Sequence, residues 1–312
     1  MEWRFREFRN RKMLCIFILS ILSLILLSPI PSIAQAEHED LTGVKVAVYN
    51  GEGVMDSSYI ALTKMFEWMN ASVESISALQ ILDDFLDEYD ILAIPGGSES
   101  ICLSELQYIE GVQKVQDFVK SGGSFFGICG GATFGANYAG FFNGSMRLVS
   151  EPGEIIHMTT MQVNQSSTGP ELLDCLGSFT TMYYASQYFD PREGTDVHIV
   201  ATYDFNDEAG MVAFEFEDGT VFLSSPHPEY EEDGDRDDTA DYDYLDDPDS
   251  EWELLFRVSK WLVEASNVES LSSTTTPTPT STTTALDLPL IAIVSGGGVI
   301  FVLIVAVFFR RR

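Results

Sequence analysis

Short, wholly apolar runs alternate with amphipathic stretches between residues 44 and 266. A strand that is buried on both faces needs an uninterrupted apolar run, and a helix that covers it needs one apolar face. The repeated alternation of the two patterns therefore predicts an α/β domain with a mostly parallel sheet. We place this domain at residues 43–266.

The individual elements follow from the same periodicities. Strands are predicted at residues 44–49, 72–76, 91–94, 124–128, 196–203, 211–216 and 219–224. Helices are predicted at residues 57–70, 104–120 and 250–265. Glu217-Asp218-Gly219, between the last two strands, has the composition of a hairpin turn.

The first 36 residues have the composition of a secretory signal peptide. A basic leader that ends at Lys12 precedes an apolar run from Met13 to Ser28, and Ala34-Gln35-Ala36 is a small-x-small cleavage site. We interpret residues 1–36 as a signal peptide; the alternative is an uncleaved membrane anchor. Either interpretation carries the rest of the chain across a membrane.

The other end of the chain predicts a membrane anchor. Residues 267–287 include a stretch of only Ser, Thr and Pro, which is typical of an extended stalk. Residues 288–309 are uncharged and long enough to cross a bilayer as a helix. The arginines at 310–312 favour a cytoplasmic tail, so we expect a single-pass protein of the cell membrane with an extracytoplasmic domain. Gly296-Gly297-Gly298 leaves open a homodimer contact or a lipid-facing position.

Charge and cysteine content exclude two classes of function. Asp and Glu number 48 against 17 Lys and Arg, a formal charge of −31 that repels nucleic-acid phosphates. The four cysteines include no Cys-x-x-Cys pair, so a structural zinc module is not expected. We predict no nucleic-acid partner, no metal and no cofactor.

The pentapeptide Gly127-Ile128-Cys129-Gly130-Gly131 contains the strongest candidate for a nucleophile. A residue flanked by glycines between a strand and a helix is typical of a nucleophile elbow, whose turn is too tight for neighbouring side chains. The N-terminus of the following helix favours the thiolate of Cys129. We expect the N–H groups of Gly130 and of Gly97, which follows the neighbouring strand, to form an oxyanion hole.

The segment Pro226-His227-Pro228-Glu229 supplies a base for this cysteine. Residues two apart in an extended chain face the same way, and the two prolines favour that conformation. Glu229 is therefore expected to orient His227 toward Cys129. Either motif alone can arise by chance, but their joint occurrence after suitable strands favours a catalytic triad.

These motifs, with Pro95-Gly96-Gly97, resemble those of the class I glutamine amidotransferase-like superfamily. The opening strand, Val46 to Gly51, and the elbow strand are most similar to the domain at the N-terminus of fungal biotin–protein ligases. The resemblance implies a flavodoxin-like three-layer sandwich, here followed by a C-terminal transmembrane helix. It also implies Cys129 as nucleophile, His227 as base and Glu229 as orienting acid.

The chain departs from working amidotransferases at several points. After the elbow it continues Gly130-Gly131-Ala132-Thr133 instead of the sequence that helps to hold glutamine. We also expect no synthase or ligase domain that would receive ammonia. We therefore predict a cysteine-dependent amidohydrolase that acts through a thioester on an unidentified small-molecule amide or peptide. The alternative is a non-catalytic ligand-binding or sensor ectodomain with the same fold.

Two further features leave alternatives open. Cys102 and Cys175 are expected either to form a disulfide or to be two separate buried thiols. The acidic residues between 231 and 249 are interpreted as a solvated loop, with a cation site as the alternative.

Overall fold

The computed structural model describes residues 40–149, 155–231 and 236–272, with the backbone alone for residues 267–272. The predicted signal peptide (1–36), the membrane helix (288–309), the basic tail (310–312) and most of the stalk (267–287) lie outside the described residues. Within the part of the chain that is described, no helix is both long enough and apolar enough to cross a membrane.

Among the described residues, eleven strands form one sheet, and helices cover it. The strands are β1 Lys45–Tyr49, β2 Ser72–Ile76, β3 Ile91–Ile94, β4 Ser124–Ile128, β5 Gly144–Leu148, β6 Ile156–Val163, β7 Ser178–Tyr184, β8 Gln187–Pro191, β9 His198–Tyr203, β10 Ala209–Phe216 and β11 Gly219–Ser224. The α-helices are α1 Asp56–Trp68, α2 Ala78–Leu82, α3 Glu99–Glu105, α4 Ile109–Lys120, α5 Gly130–Thr133 and α6 Trp252–Ser272. Short 3-10 and π-helical segments follow α2 and α5 at Phe85–Glu88 and Phe134–Tyr138.

The sheet is mixed. Its order is β2-β1-β3-β4-β11-β10-β9-β6-β7, with β5 and β8 joined beside β10. The first five of these strands are parallel, and every pairing beyond β11 is antiparallel. The prediction of a mostly parallel sheet therefore holds for the five strands from β2 to β11, which form one side of the sheet, but not for the antiparallel extension, in which β5 to β8 were not predicted.

The inner parallel strands β1, β3, β4 and β11 are largely apolar because both of their faces are covered, whereas β2, at the edge of the sheet, is polar and mostly exposed. Along β1, Val46 and Val48 pack in one core layer, while Ala47 and Tyr49 pack in the other. Helices α1 and α6 cover the first layer, and α2, α3 and α4 cover the second. This arrangement is the three-layer α/β sandwich that the family resemblance implied.

Two predicted helices differ from the observed ones. The helix predicted at 104–120 is divided into α3 and α4, because Gln107 and Tyr108 have positive φ angles of 54° and 55°. The turn buries Leu106 and leaves Ile109, expected on the apolar face, 84% exposed. Helix α6 continues to Ser272, beyond its predicted end and into residues assigned to the stalk.

Parallel topology brings four connecting segments to one edge of the sheet. The carboxyl ends of β1, β3, β4 and β11 lead into residues 50–55, 95–98, 129–131 and 225–229. All of the predicted site residues belong to these segments, and ligands of open α/β sheets bind at this edge.

Candidate active site

Cys129 lies in the turn between β4 and α5. Its backbone has φ 49° and ψ −108°, a combination that residues with a side chain rarely adopt. Its N–H donates to the carbonyl oxygen of Ser224 at 2.8 Å, which ties the turn to the end of β11. The side chain is half-buried and lines a cavity of about 510 Å³.

The turns that contain Gly53, Gly97 and Gly130 are in close backbone contact at the wall of this cavity. A Cβ on Gly130 would lie 2.1 Å from the carbonyl oxygen of Gly97, and a Cβ on Gly97 would lie 2.0 Å from that of Gly53. Hydrogen bonds from Met55 N–H to Gly96 O (2.9 Å) and from Ser98 N–H to Gly53 O (2.7 Å) hold two of the turns together. The absence of side chains at the elbow is thus required by the neighbouring turn as well as by the elbow itself.

The two predicted oxyanion donors, Gly97 and Gly130, both line the cavity beside Cys129. No hydrogen bond among the described residues uses either N–H. For Gly130 this follows from its place at the start of α5, where a helix has no partner for its first N–H groups. Both donors are available to a ligand at this point.

His227 and Glu229 are in direct contact, as their two-residue spacing predicted. His227 Nδ1 donates to Glu229 Oε1 at 2.8 Å, and both side chains are fully buried. The segment is held in place by its backbone: His227 N–H donates to Met182 O at 3.0 Å, and Trp252 Nε1 donates to Glu229 O at 3.0 Å. The imidazole therefore has a fixed orientation relative to the carboxylate.

The electrostatics of the pair favour a protonated imidazole. Burial alone would lower the pKa of His227, but Glu229 and Cys129 together outweigh it and raise the pKa from 6.5 to about 10. Nε2 is buried and makes no hydrogen bond with the described residues. Glu229 is the larger cause of the rise in the pKa of His227, and the neighbouring Cys129 adds to it.

Ser58 is a member of the site that the sequence did not reveal. Its hydroxyl donates to Glu229 Oε1 at 2.6 Å and accepts a hydrogen bond from Gly96 N–H at 2.8 Å, and the side chain is fully buried. Ser58 thus connects the carboxylate to the turn that contains Gly97. A serine in the first turn of a predicted helix has no local pattern that distinguishes this role from ordinary N-terminal capping.

The far wall of the cavity was also missed. Tyr184, Ala185, Ser186 and Gln187 line it from the connection between β7 and β8. Gln187 is fixed by two bonds, from its N–H to Ser225 Oγ at 2.6 Å and from its side-chain amide to Thr133 Oγ1 at 3.3 Å. Since β7 and β8 were not predicted, the sequence offered no reason to place this segment opposite Cys129.

Of the two alternatives for Cys102 and Cys175, the disulfide is not formed. Both cysteines are free thiols, and they pack in different core layers on opposite faces of the sheet. Burial raises the pKa of the Cys102 thiol to about 12. The alternative of two separate thiols is therefore the correct one.

The acidic stretch at 231–249 is more deeply placed than a solvated loop. Glu231, Asp237 and Asp247 are buried, and Arg236 donates to Glu231 while lying over the ring of Trp252 at 4.6 Å. Residues 232–235 lie outside the described part of the chain. Among the described residues, no group of three His, Cys, Asp or Glu side chains is arranged to hold a metal ion.

Comparison with known families decides what kind of domain this is. Residues 44–155, which include β1 to β4 and Cys129, match the family described as "Biotin-protein ligase, N terminal". This segment, about a third of the chain, is therefore similar to the N-terminal domain of biotin–protein ligases. The match bears out the resemblance of the opening and elbow strands to the domain at the N-terminus of biotin–protein ligases. The match ends before His227 and Glu229, so their place in the site rests on the structure.

Two individual proteins are similar to longer stretches of the chain. The chain is 26% identical over 220 residues to a biotin–protein ligase of Schizosaccharomyces pombe, covering 61% of this chain and 34% of the ligase. It is 26% identical over 159 residues to an uncharacterized protein of Chlamydia muridarum, covering 45% of this chain and 60% of that protein. The chain thus spans between one third and three fifths of these relatives.

Among solved structures, the chain is similar to a glutamine amidotransferase of Thermotoga maritima. The TM-score is 0.46 at 16% identity, covering 73% of this chain and 92% of the other.

Proposed function

We propose that this protein is a cysteine-dependent amidohydrolase that cleaves an amide or peptide bond through a thioester on Cys129. The observation that supports this most directly is the buried His227–Glu229 pair beside a cysteine held at a nucleophile elbow. Burying a charged pair costs desolvation free energy. Groups whose pKa is strongly shifted by such surroundings cluster at active sites.

The first half of the reaction follows from the protonation state of His227. The Cys129 thiolate attacks the carbonyl carbon, forming a C–S bond while the carbonyl π electrons move to oxygen. The N–H groups of Gly97 and Gly130 stabilise the resulting oxyanion. The imidazolium of His227 gives its proton to the leaving amine as the C–N bond breaks, and Glu229 stabilises and orients the ring.

The second half regenerates the enzyme. Neutral His227 removes a proton from water, and the hydroxide attacks the thioester carbonyl. The C–S bond then breaks, the acid product leaves, and the thiolate–imidazolium pair is restored. No partner domain and no other reactant are needed.

We further propose that this reaction takes place outside the cell membrane, with the domain anchored by residues 288–309. The basic leader at the N-terminus, the Ser/Thr/Pro-rich segment and the terminal arginines support this placement. A homodimer through the glycines of the anchor remains part of the same proposal.

Alkylation of Cys129 by iodoacetamide tests the enzymatic proposal. If His227 keeps the sulfur in its reactive form, replacing His227 with alanine should slow alkylation at pH 7 by at least about tenfold, because the thiolate is the nucleophile. The rate is measured by mass spectrometry of the Cys129 peptide in the full chain, and Cys129→Ser gives the background.

His198→Ala is the matched control for this experiment. His198 bonds to Thr168 Oγ1 at 3.0 Å and packs against Trp261, away from the cavity. Equal rates in the wild type and both histidine variants would contradict the enzymatic proposal and make a ligand-binding ectodomain the better account.

A further inference from the structure

The wall of the cavity beside Cys129 is asymmetric in charge. Glu99 is the only carboxylate among the described residues that line it, and none of those residues is Lys, Arg or His. The remaining polar wall consists of uncharged groups, among them Ser98, Thr133, Gln187 and Ser225. Besides the Cys129 sulfur, whose charge the proposed imidazolium of His227 balances, a ligand in this cavity therefore meets one formal negative charge on the wall, that of Glu99.

Glu99 has no partner of its own in the described structure. It lies in the first turn of α3, half-buried, and makes no hydrogen bond or ion pair with any described residue. Glu105 on the same helix, by contrast, already has hydrogen-bond partners. Its carboxylate accepts from Tyr49 OH at 2.5 Å and from Glu52 N–H at 2.6 Å. The Glu99 carboxylate is thus available to a group that enters the cavity.

The chemistry that this wall can recognise is limited. Sites that bind a carboxylate ordinarily supply a cation, most often the paired N–H groups of Arg. A single carboxylate in a partly enclosed cavity attracts an ammonium or guanidinium group and repels an anion. A free amino acid would bring both charges, and only its amino group would find a partner here.

We propose that Glu99 is a specificity-determining residue that selects amides bearing a positively charged amine and lacking a free carboxylate. This inference rests on the proposed amidohydrolase function and names its substrate class. Aminoacyl amides with a blocked carboxyl group, and amine-bearing ends of peptides, belong to that class. Free glutamine does not.

Thiol reagents of matched size and different charge test this selection directly. Methanethiosulfonates with an aminoethyl, a hydroxyethyl and a sulfonatoethyl group are cationic, neutral and anionic. In each case the Cys129 thiolate attacks the sulfenyl sulfur, an S–S bond forms, and methanesulfinate leaves. The full chain is used, and labelling of the Cys129 peptide is followed by mass spectrometry.

The readout is the ratio of the cationic to the anionic rate, and the neutral reagent reports the intrinsic reactivity of the sulfur. We expect Glu99→Gln to lower this ratio by about tenfold, because loss of the charge slows the cation and speeds the anion. A change in the intrinsic reactivity of the sulfur alters both rates alike and cancels in the ratio. Failure of the enzymatic proposal is seen separately, as alkylation that does not depend on His227.

Glu215→Gln is the matched control, because the net charge of the whole chain also favours cations. Glu215 is exposed on β10 close to the hairpin, at the edge of the sheet opposite Cys129. Its removal changes the net charge equally and should leave the ratio as in the wild type. A ratio that falls equally in both variants, or in neither, would overturn the proposal for Glu99.

Discussion

At the scale of single residues, the site depends on a strained cysteine and on the buried, hydrogen-bonded side chains of Ser58, Glu229 and His227. Cys129 occupies a backbone conformation that costs a residue with a side chain about 1–3 kcal/mol. The hydrogen bond to Ser224 and the contact between Gly130 and Gly97 hold it there. The same conformation places the cysteine at the cavity, where a substrate can reach it.

Ser58 is expected to position Glu229, and through it His227. Ser58→Ala removes the hydroxyl that donates to Glu229 Oε1, while Oε2 already lacks a hydrogen bond with the described residues. Because a hydrogen bond to a charged group contributes about 1.5–3 kcal/mol, we expect alkylation of Cys129 to slow by about tenfold. The measurement is the pH profile of the alkylation rate.

Ser57→Ala separates this role from a simple loss of a buried hydroxyl. Ser57 is also buried and hydrogen-bonds to the hydroxyl of Tyr230 at 2.9 Å, not to Glu229. Identical pH profiles for the two serine variants would show that Ser58 only stabilises the fold.

At the scale of elements, the site is a junction of turns that follow parallel strands. The turns after β1, β3 and β4 approach so closely that Gly53, Gly97 and Gly130 are each in backbone contact with a neighbour. Because the backbone itself forms these contacts, the oxyanion donors are fixed with little dependence on side-chain packing. A Cβ atom added at any of these glycines should therefore displace the neighbouring turn.

Gly130→Ala tests how rigid this junction is. The new Cβ would lie 2.1 Å from Gly97 O, so the two turns must separate. We expect a loss of about 1–3 kcal/mol in the free energy of unfolding, as for other overpacked sites, together with loss of rapid Cys129 alkylation. Both are measured on the same preparation by urea unfolding and labelling.

Gly177→Ala is the corresponding control. Nothing lies within 4 Å of a Cβ built at this exposed position. Stability and labelling should both stay close to those of the wild type. A Gly130→Ala protein that behaves in the same way would show that the turns are not in rigid contact.

At the scale of the whole molecule, acidic side chains extend into the interior near the start of α6. Glu251 is buried, and neither of its carboxylate oxygens has a hydrogen bond with the described residues. Burial, with the charges of Asp247, Glu231 and Asp249, raises its pKa well above the ordinary 4.5. The folded state therefore favours the protonated form of this residue.

This predicts a pH-dependent stability. A carboxyl group whose pKa is raised by folding contributes fully below its unfolded pKa, and that contribution is lost as the pH rises through the folded pKa. Glu251→Gln should therefore be stabilised relative to the wild type more at pH 8 than at pH 5, by about 1–3 kcal/mol. Urea unfolding of the full chain, followed by tryptophan fluorescence, measures the difference.

Glu110→Gln serves as the exposed control. Glu110 lies on the surface of α4, and its replacement should shift stability equally at both pH values. If the Glu251 variant shows the same flat response, the carboxyl group does not carry the pH dependence.

Much of the fold was determined by the sequence alone. The strands at 72–76, 91–94, 124–128 and 219–224 were predicted at their observed bounds. Most of these parallel strands are continuous apolar runs, because both of their faces are buried, and turn residues mark their ends. The contact between His227 and Glu229 was predictable for a similar reason, since it depends only on the two-residue period of an extended chain.

Tertiary structure decided the rest. The strands β5 to β8 carry polar residues at many positions, so they contain no continuous apolar run that would predict a strand. Because these strands were not predicted, the cavity wall at residues 184–187 was not predicted either. Ser58 lies 171 residues from Glu229, and Gly130 meets Gly97 across two different turns. Contacts between residues so distant in the chain leave no local periodicity. They exist only because the parallel strands bring their carboxyl ends to a common edge.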